Sequence, residues 1–249
     1  MKFVTWYPYY LQILYKLNLD IKKDILSSLI LSNLISNRSL NTYPNNLLKK
    51  LNKKKILIVG AGPSIGEPVI QKFIKEHSNF IIISADGATE LCLQLNVIPD
   101  FVVTDLDGDI DSLLRANELG SIMLIHAHGD NIQKILKFGP KFQQLIGTTQ
   151  VFPLANVYNF GGFTDGDRCV FLADEFRSSE IWLVGMDFSS SIGYFSKKMK
   201  FNLILKRKKL AIGKRLIEML VKKSKSLLIH VTTFKFDSVI NGIVDYKLK

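Results

Sequence analysis

From residue 55 onward, short continuous apolar runs alternate with stretches whose apolar residues recur at helical spacing. The runs are KILIVGAG (55–62), FIIISADGA (80–88), PDFVVTDLDGD (99–109), SIMLIHAHGDN (121–131), the weaker QLIGTTQ (144–150), EIWLVGMDF (180–188) and SLLIHVTT (226–233). Each is rich in Ile, Val and Leu and closes on turn residues, which predicts strands buried on both faces, as in a parallel sheet. The intervening stretches predict helices over about 66–76, 89–96, 110–119, 132–138, 164–176 and 202–223. Strands alternating with helices of this length indicate an α/β fold, a Rossmann-like, mostly parallel sheet with flanking helices. Upstream, Asp20 caps a helix running to about Ile35, with Ile21, Ile25 and Leu29 on one face. Residues 37–55, polar and containing Pro44, read as a loop and a short helix. The expected division is a small helical N-terminal segment over 1–54 and a Rossmann-like domain over 55–249. The segment carries no chemistry of its own and is expected to serve packing or dimerisation, which makes a homodimer a candidate assembly.

Composition narrows the function classes. With 47% hydrophobic and 22% charged residues among 249, the chain has ample material for a core and is not a disordered protein. No run of eighteen apolar residues is present, so no membrane span is expected. Met1 to Tyr10 lacks the pattern of a secretory signal. Cys92 and Cys169 stand far apart without metal-type spacing and read as free buried thiols of a cytoplasmic protein. The net charge of +11 is local: residues 195–249 hold 15 of the 33 Lys/Arg and only 3 of the 22 Asp/Glu. This segment contains Lys197, Lys198 and Lys200, then Lys206, Arg207, Lys208 and Lys209 at the start of a helix whose Leu210, Gly213, Ile217 and Leu220 share a face. Such a helix exposes its cations to solvent or turns a few toward a polyphosphate. The absence of a recognition motif and of basic–aromatic interleaving argues against a nucleic-acid partner.

Candidate chemistry gathers at the strand ends, where a parallel sheet places its ligands. GAGPSIG (60–66) follows the first strand and is expected to bind a nucleotide through Gly60, Gly62, Pro63 and Ser64: the two glycines let the backbone turn tightly and approach a phosphate, and the amides of the first helical turn are expected to face it. Asp86, with Gly87, ends the second strand where a ribose-binding acid belongs. In TDLDGD, an extended backbone would put Asp105 and Asp107 on one face, and paired carboxylates of this kind suit Mg²⁺; Asp109 is a candidate third member and Asp111 a helix opener. HAHGDN alternates His126, His128 and Asp130, read as polar groups near metal or substrate rather than a zinc site. NFGGFTDGD supplies Asn159, Gly161 and Gly162 as a mobile loop suited to a flat ligand, Thr164 as a cap, and Asp165, Asp167 and Arg168 in the following helix. His77 and His230 read as isolated surface or core residues.

GAGPS, ADGA, PDFVVTDLDGD, HAHGDN, NFGGFTDGDR and GMDF, spread from Ile56 to Phe188, together resemble the archaeal 6-hydroxymethyl-7,8-dihydropterin pyrophosphokinase family. That family is distantly similar to thiamine pyrophosphokinases, whose metal-binding acidic segment corresponds to PDFVVTDLDG here. Histidines replace some of the acids of their second segment in HAHGDN, which makes thiamine the weaker acceptor. The resemblance implies transfer of diphosphate from ATP to a hydroxymethylpterin with release of AMP. It implies Mg²⁺ on Asp105 and Asp107, the glycine loop on phosphate or ribose, and Asp130 or His128 at the attacking hydroxyl. Arg168 and basic C-terminal residues would meet phosphate charge, and Asn159 to Phe163 would cover the pterin. Two rival readings differ in class. An NAD- or S-adenosylmethionine-dependent enzyme would leave TDLDGD and HAHGDN without a role. A nucleic-acid-binding protein would use the basic segment alone.

Overall fold

Among the described residues nine strands form one sheet in which every neighbouring pair is parallel, as the buried apolar runs demand. The computed structural model describes residues 3–36, 50–188, 203–233 and 239–248. Along the chain these hold α1 (Phe3–Leu17), α2 (Ile21–Ser36), β1 (Lys55–Val59), α3 (Pro68–Glu76), β2 (Ile81–Ala85), α4 (Ala88–Gln94), β3 (Phe101–Thr104), α5 (Ile110–Glu118) and β4 (Ile122–Ala127). There follow α6 (Ile132–Phe138), β5 (Leu145–Thr149), β6 (Val157–Tyr158), α7 (Asp165–Glu175), β7 (Glu180–Val184), α8 (Leu203–Val221), β8 (Leu227–Thr233) and β9 (Val244–Leu248). The sheet order is β6-β5-β4-β3-β2-β1-β7-β8-β9. The chain thus winds outward from β1 to β6, then returns through α7 to lay β7 on the other side of β1. Their loops diverge there and open a crevice at the carboxyl end of the sheet.

Strand alternation sends Ile56 and Ile58 to one face, with α1, α7 and α8, and Leu57 and Val59 to the other, with α3 and α4. On that second face α2 lies over the β4–β6 end, packing Leu31 and Ile35 with Met123, Ile125, Leu145 and Val157. The Asp20 cap is present: its Oδ1 accepts the Lys22 N–H at 2.9 Å. α1 goes beyond the sequence reading. Its buried residues Trp6, Tyr10, Ile13 and Leu14 recur at helical spacing, but Pro8 within the helix obscures the pattern. Trp6 is fully buried and donates from Nε1 to the Gln150 carbonyl at 2.8 Å, so α1 is packed into the same core as the sheet. β6 has two residues and β9 is largely exposed at the edge, so neither carries the apolar run that marks the other strands.

Two local readings change. Asp109, a candidate metal ligand in the sequence, instead caps α5, accepting the Ser112 N–H at 3.0 Å, while Asp111 lies in the first turn of that helix, as expected of an opener. The turn after β1 is a 3-10 segment, Pro63–Gly66, and the helix proper starts at Pro68. Cys92 and Cys169 are free and buried. His77 stacks on Phe73 and His230 is fully buried. Among the described residues no helix is long and apolar enough to cross a membrane. Lys197, Lys198 and Lys200, and the loop read over 37–49, lie outside the described residues.

Candidate active site

The crevice between β1 and β7 is a cleft open to solvent. Its floor is the crossing of two glycine turns. Gly60 donates to the Val184 carbonyl and Gly62 to the Gly185 carbonyl, both at 2.8 Å, and Ser64 N–H reaches Asp187 Oδ2 at 2.7 Å. These three amides are therefore engaged within the protein. The glycines instead let two backbones touch: a Cβ on Gly60 or Gly62 would lie 2.5 Å from the Gly185 carbonyl oxygen. Gly185 adopts φ +64, and its own Cβ would come within 2.3 Å of the Gly60 oxygen. Gly185→Ala is expected to cost about 3 kcal/mol, from steric overlap plus left-handed strain, read as a lowered urea midpoint with an unchanged slope. Gly60, Gly62, Pro63 and Gly87 line the cleft, whereas Ser64 is buried beneath it.

Carboxylates gather on the cleft wall. One oxygen from each of Asp86, Asp105 and Asp165 lies within 4.8 Å of the others. Asp86 ends β2 with φ +35, a conformation that aspartate tolerates better than most residues, and its N–H donates to the Val103 carbonyl at 2.8 Å. Thr104 Oγ1 donates to its Oδ1, yet burial first and the neighbouring Asp105 second push its pKa up to about 7. Burial, then Asp105 and Asp86, hold Asp165 well above the usual carboxylate range, with Arg168 pulling the other way. Three carboxylates placed so closely favour a proton or a cation among them.

The expectation that Asp105 and Asp107 share an extended face fails, because β3 ends at Thr104 and the buried Leu106 takes φ +65. This left-handed residue turns the chain between them. Asp105 joins the cluster, whereas Asp107, still on the cleft wall, pairs with Lys134 Nζ.

HAHGDN stands behind Asp105. His128 Nδ1 accepts the Asp130 N–H at 3.3 Å, which leaves Nε2 to carry the proton toward Asp105 Oδ2 at 3.2 Å. His128 therefore orients Asp105. Asn131 locks the turn, donating to the Asp105 and His126 carbonyls and accepting from the His128 N–H. His126 is buried and held neutral, mainly by burial and then by the charge of Arg168, and meets Thr148 Oγ1 at 3.1 Å.

Two buried acids that the sequence reading did not single out stand at the candidate site. Asp24, on α2, is buried and accepts three hydrogen bonds: Gly129 N–H at 2.7 Å, Gln150 Nε2 at 2.6 Å and Tyr10 Oη at 2.5 Å. Gln150 Oε1 in turn accepts from Arg168 at 3.1 Å, and Arg168 meets Asp165 at 3.3 Å. The N-terminal helices are thereby wired to the carboxylate cluster. The signal was an acid at position 24 in helical register with the buried Ser28, Leu31 and Ile35. Asp187, buried on the cleft wall within GMDF, occupies the same strand-end position as the other acids.

In the 159–165 loop, Asn159 Oδ1 accepts the Gly161 N–H at 2.9 Å, and positive φ at Gly161 and Gly162 seats the chain on Phe171 and Arg168. Phe163 and Asp165 reach the cleft from this loop. Asp167 accepts backbone N–H bonds from Phe163 at 2.6 Å and Thr164 at 2.8 Å, pinning its end. From α8, Lys206 and Lys209 line the cleft. A second open pocket shares Asp105, Phe163, Arg168 and Lys209 with the first and adds His128, Asp130, Asn18, Leu19, Asp20, Lys23 and Asp24.

A doubly wound parallel sheet, with an acidic cluster and cations between two cavities at its switch point, defines an α/β enzyme of the nucleotide-binding type. The family model described as 6-hydroxymethylpterin diphosphokinase MptE-like matches residues 28–193, and the chain belongs to this family. Proteins named 6-hydroxymethyl-7,8-dihydropterin pyrophosphokinase are similar to it along most of its length. That of Methanocaldococcus jannaschii is 42% identical over 90% of this chain and 97% of the relative. That of Pyrococcus furiosus is 41% identical over 79% and 83%, and that of Methanothermobacter thermautotrophicus 40% over 66% and 72%. Among solved structures, similarity extends to the MAf glycosyltransferase of Magnetospirillum magneticum (TM-score 0.45, 17% identity, 79% of this chain and 34% of that chain). It also extends to the thiamine pyrophosphokinase of Bacillus subtilis (TM-score 0.35, 21% identity, 70% and 60%).

Proposed function

We propose that this protein transfers the β,γ-diphosphate of ATP to the hydroxymethyl group of 6-hydroxymethyl-7,8-dihydropterin, giving AMP and the pterin diphosphate, in the cytoplasm. The observation that carries the reading is the Asp86–Asp105–Asp165 cluster at the junction of two cavities, with Arg168, Lys206 and Lys209 around it. The reaction makes the acceptor oxygen bond the β-phosphorus while the bond from that phosphorus to the α,β-bridging oxygen breaks. AMP leaves with that oxygen, and the hydroxyl proton goes to a base. Little covalent help is needed; charge and alignment dominate.

The donor set fits Mg²⁺: three carboxylate oxygens within 4.8 Å are hard ligands, and burial raises the affinity of Asp86 and Asp165 for positive charge. When bound, Mg²⁺ supplies charge to phosphate oxygens and offsets that of Asp86, Asp105 and Asp165. We assign Asp86 to this set rather than to ribose, and Asp107 to a neighbouring position held by Lys134. Because the Gly60, Gly62 and Ser64 amides are engaged, the phosphate charge falls to Lys206, Lys209 and Arg168, and the glycine loop shapes the wall on which the nucleoside lies. Asp130, exposed in the second cavity, takes the hydroxyl proton, while His128 orients Asp105. Phe163, which lines both cavities, packs on the flat acceptor.

The test is AMP release from ATP with Mg²⁺ and either 6-hydroxymethyl-7,8-dihydropterin or thiamine, against an EDTA control. AMP formed only with the pterin and the metal is the expected result. AMP with thiamine alone would change the acceptor, and AMP with neither would overturn the reading.

A further inference from the structure

We infer that the N-terminal helical pair completes the acceptor subsite. The cavity between the start of α2 and the loop after β4 holds a planar amino-oxo heterocycle bearing a hydroxymethyl arm, and Asp20 and Lys23 read its far edge. The inference rests on the diphosphate-transfer reading above and adds the place and chemistry of acceptor recognition.

The argument begins with direction. In-line displacement brings the acceptor oxygen to the β-phosphorus from the side opposite the departing AMP. The nucleotide cleft lies against the glycine turns of β1 and β7, so the acceptor must enter from the other side of the carboxylate cluster. The second cavity occupies that side and shares Asp105 and Arg168 with the cleft. Arg168 is more than nine-tenths buried, and its Nε has no hydrogen-bond partner among the described residues.

The α2 wall of this cavity is held rigidly. A Cβ on Gly129 would lie 2.5 Å from Lys23 Cβ, so the β4 loop and α2 meet at the closest distance that glycine permits. Asp24 fastens the same contact through the Gly129 N–H. Its three donors already occupy Asp24, which leaves recognition to its neighbours.

Asp20, which caps α2, and Lys23 in its first turn line the cavity, and the Lys22 N–H orients the Asp20 carboxylate. An amino-oxo pyrimidine edge offers two adjacent N–H donors and one carbonyl acceptor. A carboxylate takes the paired donors and an ammonium takes the carbonyl. In a pterin this edge lies at the opposite end from the hydroxymethyl arm. Placing the arm at Asp130 and Arg168 therefore points the edge toward α2.

Full-length Asp20→Ala, Lys23→Ala and the double variant, all at exposed positions, test the inference. The expected result for the double variant is an acceptor KM raised at least tenfold with an ATP KM within twofold of wild type. A parallel titration measures pterin binding without ATP by ligand fluorescence; it should show binding to wild type and loss in the double variant. An unchanged acceptor KM, or equal rises in both KM values, would overturn the subsite. If wild type released no AMP, the function reading would fail by itself. The fluorescence titration would then decide the subsite, with binding abolished by the double variant supporting it and binding unaffected overturning it.

Discussion

Asp105→Asn is expected to lower turnover by about 10³-fold while the protein stays folded. Asp105 occupies the centre of the arrangement: it belongs to the carboxylate cluster, accepts from His128 and lines both cavities. Asparagine preserves its size but removes one negative charge and one hydrogen-bond acceptor where cation and phosphate must meet. A second measurement separates this role from a purely structural one. Mg²⁺ should raise the unfolding temperature of wild type, because a ligand that binds only the native state stabilises it by mass action. In Asp105→Asn that rise should shrink or vanish, with the unfolding temperature in EDTA close to wild type. A variant that kept its activity and its Mg²⁺-dependent rise would remove Asp105 from the metal assignment.

The second large effect lies away from the reacting atoms. Asp24→Ala should destabilise the protein by about 4 kcal/mol, a fall of roughly 10 °C in unfolding temperature. The substitution leaves the Tyr10 hydroxyl, the Gly129 N–H and the Gln150 amide without their acceptor in a buried setting. Activity should fall as well at temperatures where the variant is fully folded, because Gly129 belongs to the turn that carries His128 and Asp130, and Gln150 supports Arg168. Chemical denaturation gives the stability term, and turnover well below the melting point gives the positioning term. A loss of stability without any loss of turnover would confine Asp24 to a structural role.

The sheet could be read because its determinants are local. Runs such as ILIV, FIII and FVV fill a two-sided interior whatever their neighbours, and strand alternation then divides Ile56 and Ile58 from Leu57 and Val59. The acids could be read as a group because a parallel sheet delivers all its strand ends to one edge. Their pairing was not readable. One positive-φ residue, Leu106, separated Asp105 from Asp107, and an exact register brought Asp86 and Asp165 to Asp105 from 19 and 60 positions away. The glycine loop shows the same limit: Gly60 and Gly62 announce a tight turn, but only the crossing with Gly185 shows that their amides are engaged.

By itself, then, the amino-acid sequence determined the α/β class, the strand ends as the candidate site, its acidic character and the basic helix beside it. Each follows from side-chain period and turn chemistry over a few residues. The tertiary structure alone decided which carboxylates converge, which proton His128 carries, and that the first helices, without chemistry when read along the chain, reach the candidate site through Asp24. The physical reason is that burial and electrostatic coupling depend on distances between segments far apart in sequence, such as Asp24 and Gly129, which no local pattern encodes.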